Sequence, residues 1–432
     1  MEIPSIETKS QQEIENFQSE KLKEMLQYVS ENSPYYQRLF RKKGVDVSTV
    51  QSVSDLQKLP FTTKDDLQRH NDDFFCVPKT SIIDYVTTSG TLGDPVTIGL
   101  TNADLDRLAY NEAVSLACSG ITGNDTVQLM TTIDRRFMAG MAYFTGLRKL
   151  GASVIRVGSG VTELQWDSIL KFKPTYLICV PSFLLKLSAF AKEHNIAISE
   201  SSVKAAVCIG EPIRDGNFKL NALGRKIKKV WDIQLFSTYA STEMQTAFNE
   251  CEAQQGGHLH PDLIIAEILD KNNTPVATGE VGELVITTLG IEGLPLLRFK
   301  TGDMLQHHTG DCSCGRTTMR LGPVVGRKQQ MIKYKGTTLY PPAMYNVLQD
   351  FDEVRSFIIE ISQNEIGTDE ILLKVVSEDI SEAFKDSLKD HFRAKLRVRP
   401  NVAFTTQDQM EKLQFPKMSR KPVLLVDRRK KG

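Results

Sequence analysis

The sequence carries no net charge: 53 Lys and Arg balance 53 Asp and Glu over 432 residues. A protein that binds nucleic acid through bulk positive charge is therefore not expected. The basic tail Arg428-Arg429-Lys430-Lys431 reads as a solvated end. No apolar run is long enough to span a membrane, because the longest, Tyr176 to Phe190, is broken by Pro181 and Lys186. The opening M-E-I-P-S-I-E lacks the basic and apolar regions of a signal peptide. Cysteine is sparse, with seven residues scattered except for Cys312-Ser313-Cys314, so no disulfide framework is expected. These absences predict a cytoplasmic protein with neither a membrane nor a nucleic acid as partner. Internal repeats and low-complexity segments are also missing. So is a Walker A loop, since no Gly-Lys-Ser/Thr follows a glycine-rich turn at the required spacing.

What is there is ordinary in bulk and specific in detail. An apolar content of 41% and a charged content of 25% describe a globular protein, and the length allows two or three domains with a large core. Ser10 to Lys43 has helical spacing, broken at Ser33-Pro34. Ser54 is placed to cap a short helix ending before Pro60, and Thr62 or Thr63 to cap another with acids in its first turn. From Val127 to Tyr239, strand-like and helix-like segments alternate. This predicts a largely parallel sheet with helices on both faces and ligand sites at the carboxyl ends of its strands. After Glu250 short strands follow one another as an antiparallel β-region. From Met331 to Thr406 the pattern reads β-α-β-β-α-β, a small α+β domain.

The stretch Val86 to Leu100, V-T-T-S-G-T-L-G-D-P-V-T-I-G-L, organises the rest. A β-branched run enters, Ser89, Gly90, Thr91 and Gly93 make a small hydroxyl-rich turn, and a second apolar run leaves. Such a turn can aim several N–H groups and hydroxyls at one phosphate. It can equally be an ordinary hairpin turn.

Several stretches in order resolve this choice. T-T-S-G-T-L-G-D-P resembles the phosphate-binding motif of the adenylate-forming enzymes. G-E-P at Gly210 to Pro212 and Y-A-S-T-E at Tyr239 to Glu243 resemble their adenine-side and metal-side motifs. R-F-K-T-G-D at Arg298 to Asp303 resembles the ribose-binding motif, and G-R-K-Q-Q-M-I-K-Y-K-G at Gly326 to Gly336 the hinge motif. Within that superfamily the chain is similar to the phenylacetate–CoA ligase group, through P-Y-Y-Q-R-L-F, L-P-F-T-T-K-D-D-L, L-P-L-L-R-F-K-T-G-D and C-S-C-G-R-T-T.

The resemblance implies an α/β adenylate-forming fold. A large N-terminal domain over 1–327 would comprise a helical layer (1–78), an α/β core (79–250) and a β-region (251–327). A small mobile domain would follow over 328–432. It implies ligation of an aryl or arylacetic acid to coenzyme A through an acyl-adenylate, with ATP consumed, AMP formed and Mg²⁺ required. Ser89, Gly90, Thr91 and Gly93 would cradle phosphate. Thr242 would contact the α-phosphate and Glu243 would hold Mg²⁺, a hard cation suited to carboxylate oxygen. Tyr239, Ala240, Ser241, Gly210, Glu211 and Pro212 would border the nucleotide, Tyr239, Glu211 and Pro212 lining the adenine. Asp303 would accept the ribose hydroxyls, with Arg327 near ribose and phosphate. Lys328 falls at the hinge. S-R-K-P-V-L-L-V-D-R-R places the catalytic lysine at Lys421, with Lys417 as rival. Asp94 and Ser237 depart from the group's usual residues.

Cys251, His258, Cys312 and Cys314 form a second constellation, a closed three-thiolate, one-imidazole zinc set of the structural kind. Similar positions recur in the phenylacetate–CoA ligase group. The alternatives are a buried apolar thiol with an unliganded hairpin, or His260, His307 or His308 as fourth ligand. Phe137, Met138, Tyr143 and Phe144 occupy the region where relatives place the acyl pocket, yet at helical spacing they also suit a plain core. Arg135-Arg136 could meet an anionic group or begin a solvated helix. Two other functions stay open: an adenylating enzyme whose acceptor is an amine or carrier-protein thiol, and an inactive nucleotide-binding homologue. A homodimer is also open.

Overall fold

A computed structural model describes residues 1–88, 95–334, 337–364, 369–415 and 422–429. The chain forms two compact units. The first comprises Met1–Leu220, Gly224–Thr301 and Leu305–Pro323, and the second Asn221–Leu223, Gly302–Met304 and Val324–Gly432.

The first unit begins with helices whose ends the sequence marks. Ser10 and Glu13 close a reciprocal capping box at the start of Gln11–Asn32. Ser33 caps Pro34–Lys43 and Gly44 ends it at φ 64°. The expected Ser54-capped helix is instead a 3-10 helix, Val53–Lys58, because Ser52 and Asp55 make the box two residues earlier. Thr63 caps Lys64–Arg69 with Asp66, as its sequence predicts.

The core of this unit is a six-stranded sheet. Its order is Ser153–Arg156, Thr126–Leu129, Tyr176–Cys179, Ala205–Cys208, Gln234–Ser241 and Thr246–Asn249. The first five strands run parallel and the last is antiparallel. Val127, Leu129, Ile178, Val207 and Phe236 pack with Tyr143 and Leu147 of the helix Met138–Leu150. The run Phe218 to Lys229 reads as a helix, and in the structure that helix starts at Ala222. Phe218 sits at φ 61° in a turn closed by the Arg214–Leu220 bridge. An antiparallel region follows, in which Phe299–His308 is one continuous strand beside Val281–Thr288. Leu296 to Phe299 and Met304 to His307 read in the sequence as two separate short strands.

The second unit has a four-stranded sheet ordered Asn401–Phe404, Asp369–Ser377, Val354–Gln363, Leu425–Asp427. Ile359, Leu373, Val375, Leu388 and Phe392 form its core. The helix Gln407–Gln414 and the strand Leu425–Asp427 lie beyond the expected β-α-β-β-α-β pattern.

One core group carries a pH-dependent cost. Glu112, on Asn102–Cys118, is 4% exposed, and its Oε2 has no hydrogen-bond partner among the described residues. Burial pushes its carboxyl up to about 8. A folded value above the unfolded one means that the native state holds an extra proton. Stability therefore falls as pH rises from about 4.5 towards 8. Glu112→Gln keeps the shape and removes the ionisation. Urea unfolding should show it gaining on the order of 3 kcal/mol more at pH 8 than at pH 5 relative to the natural chain. Parallel curves would disprove the assignment.

Candidate functional site

Two of the expected turns leave neighbouring strands at the carboxyl edge of the parallel sheet. Ala205–Cys208 leads to Gly210-Glu211-Pro212, and Gln234–Ser241, paired with it through Cys208 and Ser237, leads to Thr242-Glu243. Gly210 sits at φ 75°, a conformation open to glycine and costly for other residues. Gly210 and Pro212 are exposed. The Glu211 carboxylate is occupied: it accepts from the Ser182 backbone N–H at 3.0 Å and the Ser182 hydroxyl at 3.1 Å, at the first turn of Pro181–Glu193. What this turn can offer an adenine ring is its main chain and Pro212.

Ser89, Gly90, Thr91, Gly93 and Asp94 lie outside the described residues. Their flanks are described. Asp84–Thr87 and Thr97–Leu100 pair antiparallel, and Thr88 and Val96 continue the pairing: the Thr88 N–H donates to the Val96 carbonyl, and the Val96 N–H to the Thr88 hydroxyl. The Thr87 N–H donates to the Arg136 carbonyl at 3.0 Å. That contact ties the hairpin to the segment after Thr126–Leu129, also at the sheet's carboxyl edge. Arg135 and Arg136 both have positive φ, 61° and 57°, and are exposed.

The Thr242-Glu243 turn is held from several sides. The Met244 N–H donates to the Ser241 hydroxyl at 3.3 Å. Arg107, buried on Asn102–Cys118, donates to the carbonyls of Gln245, Leu263 and Leu289. Burial lowers its guanidinium to about 10, so it stays charged. Asn111 and Ser115 of the same helix grip the Ala247 backbone. Glu243 is therefore presented by a rigid support. Its Oε1 lies 3.0 Å from the Lys64 ammonium. Sequence reasoning read Lys64 only as part of a helix start. Arg107 too was missed, for its partners lie at least 138 residues away.

Tyr239 is half-buried, with its ring stacked on Phe248 at 6.1 Å. Ala240 is exposed, and Ser241 and Thr242 are half-buried. The Ser237 N–H donates to Glu250, whose carboxylate also receives the buried Arg214. In the ribose-like motif Arg298 is structural: it donates to Glu267 through two nitrogens, bonds the Leu59 carbonyl and lies 4.0 Å over the Phe61 ring.

In the second unit Asp303 is 8% exposed and pairs across the backbone with Arg327, whose Nε lies 3.4 Å from Asp303 Oδ1. A Cβ on Gly326 would lie 2.4 Å from Tyr340, so glycine is needed for this pairing. Lys328 is exposed. Lys417 and Lys421 lie outside the described residues.

Of the four pocket candidates, Met138 is buried and Tyr143 belongs to the sheet core, where burial raises its phenol well above 10. Phe144 packs against the same cluster, with the Arg156 guanidinium 5.3 Å from its ring centre. Phe137 is half-buried. For Tyr143 the structure supports the core reading.

Cys251, His258, Cys312 and Cys314 converge. Their ligand atoms all lie within 4.8 Å of one another. Cys251 Sγ is 3.5 Å from Cys312 Sγ, and His258 Nε2 is 3.4 Å from both Cys251 Sγ and Cys314 Sγ. Bonds of about 2.3 Å to sulfur and about 2.0 Å to nitrogen give a tetrahedron with edges of roughly 3.5–3.8 Å, so this donor set fits a closed zinc site. A hydrogen bond with Cys314 pushes the Cys251 thiol up, and the same bond holds Cys314 well below the usual thiol range. His258 is lowered by burial, and its Nδ1 faces the Thr318 hydroxyl at 3.2 Å, which fixes the ring.

His260 is not part of this set. Its Nδ1 contacts Glu7 at 2.6 Å and its Nε2 contacts Ser115 at 2.8 Å. His307 and His308 are absent from the cluster among the described residues. Glu7, fully buried, also receives Arg316 at 2.6 Å, and Arg316 reaches Cys314 at 3.7 Å. Burial alone would raise the Glu7 carboxyl, but His260 and Arg316 outweigh it and hold it below the usual range.

Residues 22–291 match the family model described as AMP-binding enzyme. The phenylacetate-coenzyme A ligase of Thermus thermophilus is 32% identical over 386 residues, covering 88% of this chain and 84% of that protein. The phenylacetate-coenzyme A ligase of Escherichia coli is 30% identical, covering 82% and 80%. A crystal structure of 2-hydroxyisobutyryl-CoA ligase with 2-HIB-AMP in the postadenylation state superposes with a TM-score of 0.85 at 23% identity, covering 98% of this chain and 91% of that one. At that identity it speaks to the fold alone.

Proposed function

The chain belongs to the AMP-binding enzyme family, in its phenylacetate–CoA ligase-like branch, and from that premise we propose that it joins an aryl or arylacetic acid to coenzyme A in two steps. In the first, a carboxylate oxygen attacks the α-phosphorus of ATP. The bond to the β-phosphate bridging oxygen breaks and pyrophosphate leaves. In the second, the coenzyme A sulfur attacks the acyl carbonyl and AMP departs. The observation that carries this reading is the rigidly supported Thr242-Glu243 turn beside Gly210-Glu211-Pro212 at the carboxyl edge of one parallel sheet.

On this reading Glu243 holds Mg²⁺, which neutralises polyphosphate charge when bound. Thr242 contacts the α-phosphate, and Tyr239 with the main chain of Gly210, Glu211 and Pro212 borders the adenine. Ala240 and Ser241 carry the turn. Ser89, Gly90, Thr91 and Gly93 supply donors to phosphate. Asp303 accepts the ribose hydroxyls, and Arg327 orients it. Lys328 serves as hinge for the 328–432 domain. Lys421 bridges the acid and the α-phosphate. Cys251, His258, Cys312 and Cys314 hold a structural zinc. We place the reaction in the cytoplasm, in keeping with the absence of any helix long and apolar enough to cross a membrane among the described residues.

A pyrophosphate-release screen over carboxylic acids, with and without coenzyme A, tests the reading. Aryl and arylacetic acids should give pyrophosphate, and a thioester once coenzyme A is added. Pyrophosphate without a thioester would favour an amine or carrier-protein acceptor. No turnover with any acid would favour the inactive homologue.

A further inference from the structure

The ion pair between Lys64 and Glu243 is unusual for where it sits. Lys64 opens the helix Lys64–Arg69, a position at which the helix dipole disfavours a cation and favours the acids Asp65 and Asp66 that follow. Local preference therefore gives no reason for a lysine here. Tertiary structure does. Thr62 is clipped to the sheet through its N–H to the Arg298 carbonyl at 3.1 Å and its hydroxyl to the Leu297 carbonyl at 2.7 Å. Thr62 and Thr63 pair in parallel with Phe299 and Lys300. This strap fixes the start of the helix. From there the Lys64 ammonium reaches Glu243 Oε1 at 3.0 Å, with the two side chains 23% and 12% exposed. The other partner is equally fixed, by the Arg107 grip on the turn that carries Glu243.

We propose that Lys64 is a positioning residue: its ammonium is the resident counter-cation of Glu243 and competes with the divalent cation for that carboxylate. This rests on the reading of Glu243 as the metal ligand. The donor is a hard carboxylate oxygen on a rigid turn, which suits Mg²⁺. A monocation already within hydrogen-bond distance must be displaced before a divalent ion gains the same oxygen. In the nucleotide-free protein the pair then does two things. It neutralises a largely buried carboxylate, and it keeps Glu243 from binding a bare metal ion before the substrate arrives.

Mn²⁺ binding to the nucleotide-free protein, read by electron paramagnetic resonance, separates this from a merely structural role. Lys64→Met should bind Mn²⁺ about tenfold more tightly than the natural chain, and Lys64→Arg should stay close to natural. The gain should vanish in Lys64→Met with Glu243→Gln. The Mg²⁺ concentration for half-maximal pyrophosphate release should fall in Lys64→Met by a similar factor. Should Lys64→Met fail to fold, Lys64→Gln carries the same expectations. Unchanged Mn²⁺ affinity in the folded Lys64 variant, with Glu243→Gln abolishing metal dependence, overturns the proposal and spares the ligand assignment. If Glu243→Gln leaves Mn²⁺ binding in the presence of ATP unaltered, the ligand assignment itself fails.

Discussion

Protein purified without chelator should contain one zinc per chain, and removing it should lower the thermal midpoint by about 5–10 °C. The size of the effect follows from what the four ligands join. Cys251 lies two residues beyond the buried strand Thr246–Asn249, His258 lies in a short bridge with Arg320, and Cys312 and Cys314 come from one tight turn. That turn is closed by backbone bonds between Cys312 and both Arg316 and Gly315. Without metal, thiols and an imidazole must share a nearly dry space. The fully buried Cys118 also lies in their cluster. With metal, one ion replaces that set of weak hydrogen bonds by four strong bonds. The effect should extend to the N-terminal segment through Arg316, Glu7 and His260. Cys251→Ser should lose the metal and melt as the chelated protein does. Elemental analysis and calorimetry check both statements. A metal-free preparation that melts at the same temperature would refute them.

Local chemistry made much of this fold legible. The boxes of Ser10 with Glu13, Thr63 with Asp66 and Thr101 with Asp104 are four-residue patterns, and each starts a helix where its sequence says. The alternation of strands and helices likewise becomes one parallel sheet. The Cys251, His258, Cys312 and Cys314 convergence was readable because its residue types have few other reasons to recur together. What escaped was decided by distant partners. Lys64 meets an acid 179 positions later, and no local pattern reports that. Glu7 is enclosed by His260 and Arg316, 253 and 309 positions later, which no local pattern reports either. Tyr143 has the spacing of both a pocket and a core, and only packing decides for the core. The strand Leu425–Asp427 has three residues, too few to show a period.

Lys421→Ala should abolish adenylate formation, slowing acid-dependent pyrophosphate release by about 10²–10³-fold. Thioester formation from a preformed acyl-adenylate and coenzyme A should stay within about threefold, since only the first step gathers charge on the α-phosphate. Lys421 lies outside the described residues, but the chain just after it is firmly held. The Val423 N–H donates to the Gln414 carbonyl at 2.8 Å, and Gln414 donates to the Phe357 carbonyl. Leu425–Asp427 pairs in parallel with Ile359, Glu360 and Ile361. Arg429 then binds both Asp427 and Asp369. By the family resemblance the role of bridging the two anions falls to Lys421 and not to Lys417. Lys417→Ala should therefore leave both half-reactions within about twofold of natural rates. Lys421→Arg should rescue poorly, for a planar guanidinium cannot act as a compact point charge between carboxylate and phosphate. Separate assays of the two half-reactions decide the matter: equal losses in both would make Lys421 a structural residue, and normal adenylation would transfer the role to Lys417.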